Sequence, residues 1–171
     1  MSGAGEGAAS SLDRGRSKSG ASGSVNLSLA QRDDLTAVVA LVRRYHAHDG
    51  LASPEPLEDA VAPLLGDNDL GRIWWIERDG ARVGYAAVCF GYSLEFGGRD
   101  AFLDELFVLA EHRGVGVGGA AVDLLCREVE ALGVRALHLE VAHGNEAGRA
   151  AYRRSGFTER DGYRLMSRRL R

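Results

Sequence analysis

The sequence predicts an α/β (α+β) fold: a mixed, mostly antiparallel central sheet flanked by helices, with one parallel strand–helix–strand unit late in the chain. Apolar residues alternate with period two, or run together, at 25–29, 73–77, 83–92 and 100–108, as strands require. They recur at helical spacing at 35–45 and 121–132. Turn-forming residues join the middle strands directly, so those strands run antiparallel, whereas a helix separates the strand at 100–108 from the next at 137–141 and makes that pair a right-handed parallel unit.

Residues 1–24 are rich in Gly, Ser and Ala with a basic cluster at Arg14, Arg16 and Lys18, and offer almost nothing to bury; a disordered tail is expected, ahead of one domain at 25–171. Val25, Leu27 and Leu29 then share one face of a first strand. Asp33 or Asp34 can cap the helix that follows, with His46 and His48 as cations near its end and Gly50 as its stop. Ser53-Pro54 is expected to open a second helix, apolar at Leu57, Val61, Leu64 and Leu65 and stopped by Gly66. Arg78-Asp79-Gly80-Ala81 turns a hairpin whose first strand carries Trp74 and Trp75 on opposite faces, one toward the core and the other a candidate pocket wall. After the helix at 116–132, Gly133 is the stop; a short helix follows Asn145 to about Arg154, and a closing strand or hairpin is expected at 158–170 around Asp161-Gly162.

Composition narrows the function. With 171 residues, 45% hydrophobic and 26% charged, the chain is an ordinary soluble domain. A net charge of -3 argues against a general nucleic-acid binder. No apolar run approaches the ~18 residues of a membrane span, and the N-terminus lacks the apolar centre of a signal peptide. Cys89 and Cys126 fall inside a strand and a helix pattern, which reads as two buried free thiols, no metal site and a cytoplasmic setting.

The strand ending Leu106-Phe107-Val108 leads through a short segment into Arg113-Gly114-Val115-Gly116-Val117-Gly118-Gly119, the start of a helix. Glycines let a ligand approach the backbone, and the unpaired N–H groups of a helix start attract an anion such as a pyrophosphate, with Arg113 a further cation at its edge. Gly114, Gly116 and Gly119 also spell a dinucleotide fingerprint, with Glu140 near the place of its ribose-binding acid. That fold would put the loop after its first strand, and here several strands come before it while 52 residues follow Gly119.

Arg113-x-x-Gly116-x-Gly118 after such a strand resembles the acetyl-CoA loop of the Gcn5-related N-acetyltransferase (GNAT) family. Asn145, Tyr152, Gly156 and Phe157 resemble its second signature, and the chain order suits its fold. The resemblance implies an acetyl-CoA-dependent N-acetyltransferase without a metal, acting by direct transfer on a primary amine of a small molecule or a peptide lysine. It also implies a possible sheet-edge homodimer. Cofactor contacts fall on Leu106, Phe107, Val108, the loop 113–119 and Asn145, which as a plain helix cap needs no ligand. Asp104 and Glu105 are adjacent on a strand and so face opposite ways. In diamine acetyltransferases, which this segment is similar to, two acids stand at this place; the resemblance assigns the base to Asp104, through water, and a cationic acceptor to Glu105. Tyr152 matches the general acid, or is an aromatic anchor of its helix. A non-catalytic acetyl-CoA-binding module is the rival reading; the intact acids and Tyr152 favour the enzyme.

Overall fold

A computed structural model describes residues 23–170. The tail expected at 1–24 therefore lies almost wholly outside the described residues. The elements are β1 (Val25–Leu29), α1 (Leu35–Asp49), α2 (Leu57–Val61), β2 (Gly71–Arg78), β3 (Ala81–Ser93), β4 (Gly98–Val108), α3 (Val117–Ala131), β5 (Ala136–Leu139) and α4 (Glu146–Arg154). The strands form one sheet in the order β1-β2-β3-β4-β5. The first four are antiparallel to their neighbours and β5 is parallel to β4, as the turns and the helical crossover require.

Period-two alternation gives the sheet two apolar faces. Val38, Val39 and Val42 of α1, with Leu57, Val61 and Leu65, cover Ile73, Trp75, Tyr85 and Phe107. On the other face Leu125 and Val129 of α3 cover Trp74, Ala86, Val88 and Leu103. Both tryptophans are thus core, each on its own face, and the expected pocket-lining Trp is not found: Trp74 and Trp75 are 3% and 2% exposed. Each fully buried side chain of this size contributes about 1.5–3 kcal/mol or more, so the sheet is held chiefly by these two layers.

Two expected elements differ. The second helix begins at Leu57, beyond Ser53-Pro54, because Pro56 holds its own backbone extended (ψ 139) and a residue before proline is steered away from helical angles. After Val61 the chain tightens into a 3-10 turn, Ala62–Leu64, where Pro63 sits. Residues 158–170 form no strand; only a turn at Asp161-Gly162 appears. Arg164, Arg168 and Arg169 are interleaved with the apolar residues there, so neither face of an extended segment would be apolar, and Tyr163, Leu165, Met166 and Leu170 remain exposed.

Candidate active site

β4 outruns its parallel partner. Pairing with β5 ends at Leu103↔Leu139, while β4 continues to Val108. The two strands part there, and a cleft of about 1530 Å³ opens between them, walled by β4, the loop before α3, α4, residues 139–143, Asn145 and residues 157–165. The end of α1 closes one side with Tyr45, His48 and Asp49. A smaller depression of about 560 Å³, around Gln31, Pro63 and Asn68, shares no residue with it.

A bulge marks the same place. Val88 of β3 pairs with Leu103 and Ala87 with Glu105, so Asp104 has no partner on β3. An unpaired residue in a ladder re-aims the side chains around it. Leu103 packs under α3, whereas Glu105 turns to the face covered by α1. Asp104 is exposed and lines the cleft. Glu105, expected to help hold a cationic acceptor, is not among the cleft walls: His46 Nε2 lies 2.6 Å from its Oε1, and the Tyr85 hydroxyl donates to its Oε2 at 2.6 Å. Burial, and then the charge of Glu105, push the Tyr85 phenol far up, so it remains a donor.

His46, read from the sequence as a cation near a helix end, is buried, 9% exposed, with Nδ1 2.8 Å from Ser53 Oγ. Its position was in the sequence all along: it follows Val39 by seven residues and Val42 by four, on the buried stripe of α1. Tyr45, in the cleft wall, has its phenol raised to about 12 by burial first, then by the carboxylates of Asp49 and Glu105.

Gly114 and Gly116 adopt φ 76 and 90, the left-handed region that glycine accepts at little cost. Gly116 is the N-cap of α3 and offers no capping side chain, and the first intrahelical bond to it comes from Ala120 N–H. The preceding amides, Val117 to Gly119, thus keep the unsatisfied character of a helix start. A Cβ added at Gly114, Gly116, Gly118 or Gly119 would meet no atom within 4 Å, so none of these glycines is needed for internal packing. Space and donors together fit a pyrophosphate of acetyl-CoA. Arg113, Gly114, Gly116, Val117 and Gly118 line the cleft, as do Leu106, Phe107 and Val108; Val115, exposed at the loop tip, and Gly119, a step inside α3, do not. Arg113 leans back onto β4: its Nε donates to the Val108 carbonyl at 2.6 Å, its Nη1 is 3.0 Å from His48 Nε2, and its guanidinium lies 5.2 Å from the Phe107 ring centre.

On the far wall, Asn145 caps α4, its Oδ1 accepting from Gly148 N–H at 2.9 Å, and it lines the cleft as well. Tyr152 lies in the same wall, edge-on to Phe157 with ring centres 5.9 Å apart, and burial raises its phenol above the ordinary value. The cleft thus joins both stretches singled out in the sequence. Cys89 and Cys126 are half-buried free thiols. No group of His, Cys, Asp or Glu is placed to hold a metal among the described residues. None of the described helices is long and apolar enough to cross a membrane.

Parted strands beside a glycine-lined helix start make an open cleft with an anion-binding end. The family model described as acetyltransferase (GNAT) family matches residues 35–157, and the chain belongs to that family. It is similar to the uncharacterized N-acetyltransferase YhfO of Bacillus subtilis (strain 168), 24% identical over 139 residues, which span 81% of this chain and 93% of that protein. Among solved structures it is similar to an integron cassette protein from the mobile metagenome of Cole Harbour Salt Marsh, at TM-score 0.72 and 35% identity over 85% of this chain and 90% of the other. A predicted acetyltransferase with acetyl-CoA from Clostridium acetobutylicum shares the fold at TM-score 0.66 and 19% identity, over 84% and 96% of the two chains. The protein is therefore an acetyltransferase of a family that uses acetyl-CoA.

Proposed function

We propose that the enzyme moves the acetyl group directly from acetyl-CoA to a primary amine of a small molecule or a peptide lysine, with Asp104 as proton acceptor and Tyr152 as proton donor. The observation that carries this reading is that both side chains line one cleft, Asp104 from β4 beyond its pairing with β5 and Tyr152 from α4. The bound thioester supplies an activated acetyl group. Amines present a proton problem: with a pKa near ~10.4 a lysine-like acceptor is neutral about once in 2,500 molecules at pH 7, a cost of roughly 4.6 kcal/mol. Asp104, exposed to the cleft, takes that proton directly or through one water. Tyr152 Oη, kept protonated by burial, gives one to the departing sulfur. The backbone N–H of Phe107 or Val108, on the stretch of β4 that β5 does not cover, polarises the acetyl carbonyl. Arg113 and the amides of the loop hold the phosphates, and Asn145 positions the cofactor from the other wall.

The test is release of the CoA thiol from acetyl-CoA in the presence of polyamines, aminoglycosides, amino acids and lysine peptides, each compared with its permethylated analogue. Turnover with a primary amine and none with its analogue is expected. A protein that binds CoA and acetylates none of these classes contradicts the reading.

A further inference from the structure

The bulge and the parting of the sheet coincide at Asp104, and something must fix how far β4 swings into the cleft there. Behind it stands a buried polar chain: Ser53 Oγ, His46, Glu105 and Tyr85, linked by contacts of 2.8, 2.6 and 2.6 Å. It ties three separate parts of the molecule to the residue next to Asp104, namely the loop after α1, α1 itself and β3. The side chains of His46 and Glu105 are 11% and 16% exposed, so their bond is little weakened by solvent.

We propose that His46 is a positioning residue for acetyl transfer: through Glu105 it clamps the bulge from the rear and so sets the place of the Asp104 carboxylate and of the following β4 amides in the cleft. The inference rests on the acetyl-transfer reading above. Glu105 Oε1 receives the Nε2–H of His46 and Oε2 the phenol of Tyr85, so the carboxylate is held at two points from two elements and cannot turn toward an acceptor without breaking both bonds. Ser53 keeps the chain intact in either protonation state of His46. Its hydroxyl donates to Nδ1 of the neutral ring and, by rotating, accepts from Nδ1–H of the charged one. The division between the two acids follows: Asp104 works in the cleft, and Glu105 works through the strand.

The experiment compares His46→Ala, His46→Gln and Glu105→Gln with the wild type by steady-state kinetics, CoA calorimetry and amide NMR of Asp104 to Phe107. A displacement near 1 Å at a reacting group costs about 10²-fold. His46→Ala is expected to lower kcat by ~10- to 100-fold with CoA affinity and acceptor KM within about threefold, and to shift those amides. His46→Gln, which keeps an N–H donor, is expected to recover part of kcat. Should His46→Ala unfold the chain, the Gln variants and their amide shifts decide. Unmoved amides overturn the proposal, as does a Glu105→Gln effect confined to acceptor KM, which would make Glu105 an acceptor contact. If the wild type acetylates no amine, the acetyl-transfer reading fails by itself, and the NMR arm still reports whether His46 holds the bulge.

Discussion

Tyr152 and Asp104 can be told apart one atom at a time. Tyr152→Phe keeps the ring against Phe157 and removes only the proton, so kcat is expected to fall by about 10²- to 10⁴-fold with CoA affinity unchanged by calorimetry. Because burial raises the phenol, the donor is lost only as pH rises past the ordinary value of 10.0, and the alkaline limb of kcat belongs above it. Asp104→Asn should cost kcat on a similar scale and leave acceptor KM nearly as it was; normal turnover would remove Asp104 from the chemistry. At this scale the sequence showed the two signatures and the pair of adjacent acids, but not the bulge at Asp104, which breaks the strict alternation of faces expected there. It did not show that Glu105 is taken up inside, because periodicity assigns a residue to a face and says nothing of the partner that another element brings to it. For His46 the buried stripe of α1 was legible, and only its partners Ser53 and Glu105 were hidden by the same rule.

Among elements, the loop and helix start at 113–117 carry the cofactor expectation. Gly116→Val forces a branched side chain to φ 90 at the N-cap of α3, and Arg113→Ala also frees the Val108 carbonyl. Each should weaken CoA binding, the latter by about 1.5 kcal/mol or more as for a charged hydrogen bond, and equal affinities in titration calorimetry would contradict the loop's role. The junction before α1 makes a separate claim. Asp34 accepts from Gln31 N–H at 2.9 Å and pairs with Arg82 of β3 at 2.7 Å; burial opposes its ionised form, yet these bonds hold its carboxyl below the ordinary 3.8. Since the folded value is the lower one, its stabilisation is present above 3.8 and disappears as pH falls through the folded value. Asp34→Asn is expected to cost about 0.5–1 kcal/mol at pH 7 in urea unfolding, a difference that vanishes in acid. Long elements were legible: α1, α3 and the antiparallel strands fall where alternation and spacing put them. Of the short elements β1 and α4 also fall where expected, and two others do not. Proline geometry at Pro56 moved the start of α2, and the arginines after Asp161 left the last segment without an apolar face.

For the molecule as a whole, ligand binding and stability are one measurement. If CoA enters the cleft, saturation at about 100 times its Kd adds ~2.7 kcal/mol, which for a chain of this size raises Tm by roughly 5–10 °C; no shift at any CoA concentration would count against the cleft as its seat. The short ladder between β4 and β5 has a further consequence. Four residue pairs, Asp100↔Ala136 to Leu103↔Leu139, join the last strand to a sheet whose other ladders are longer, so the fold contains a seam along which it can open without unfolding. Deuterium should therefore enter the amides of β5 and α4 long before those of β2 and β3, and a bound cofactor spanning the seam should slow the first set while leaving the second untouched.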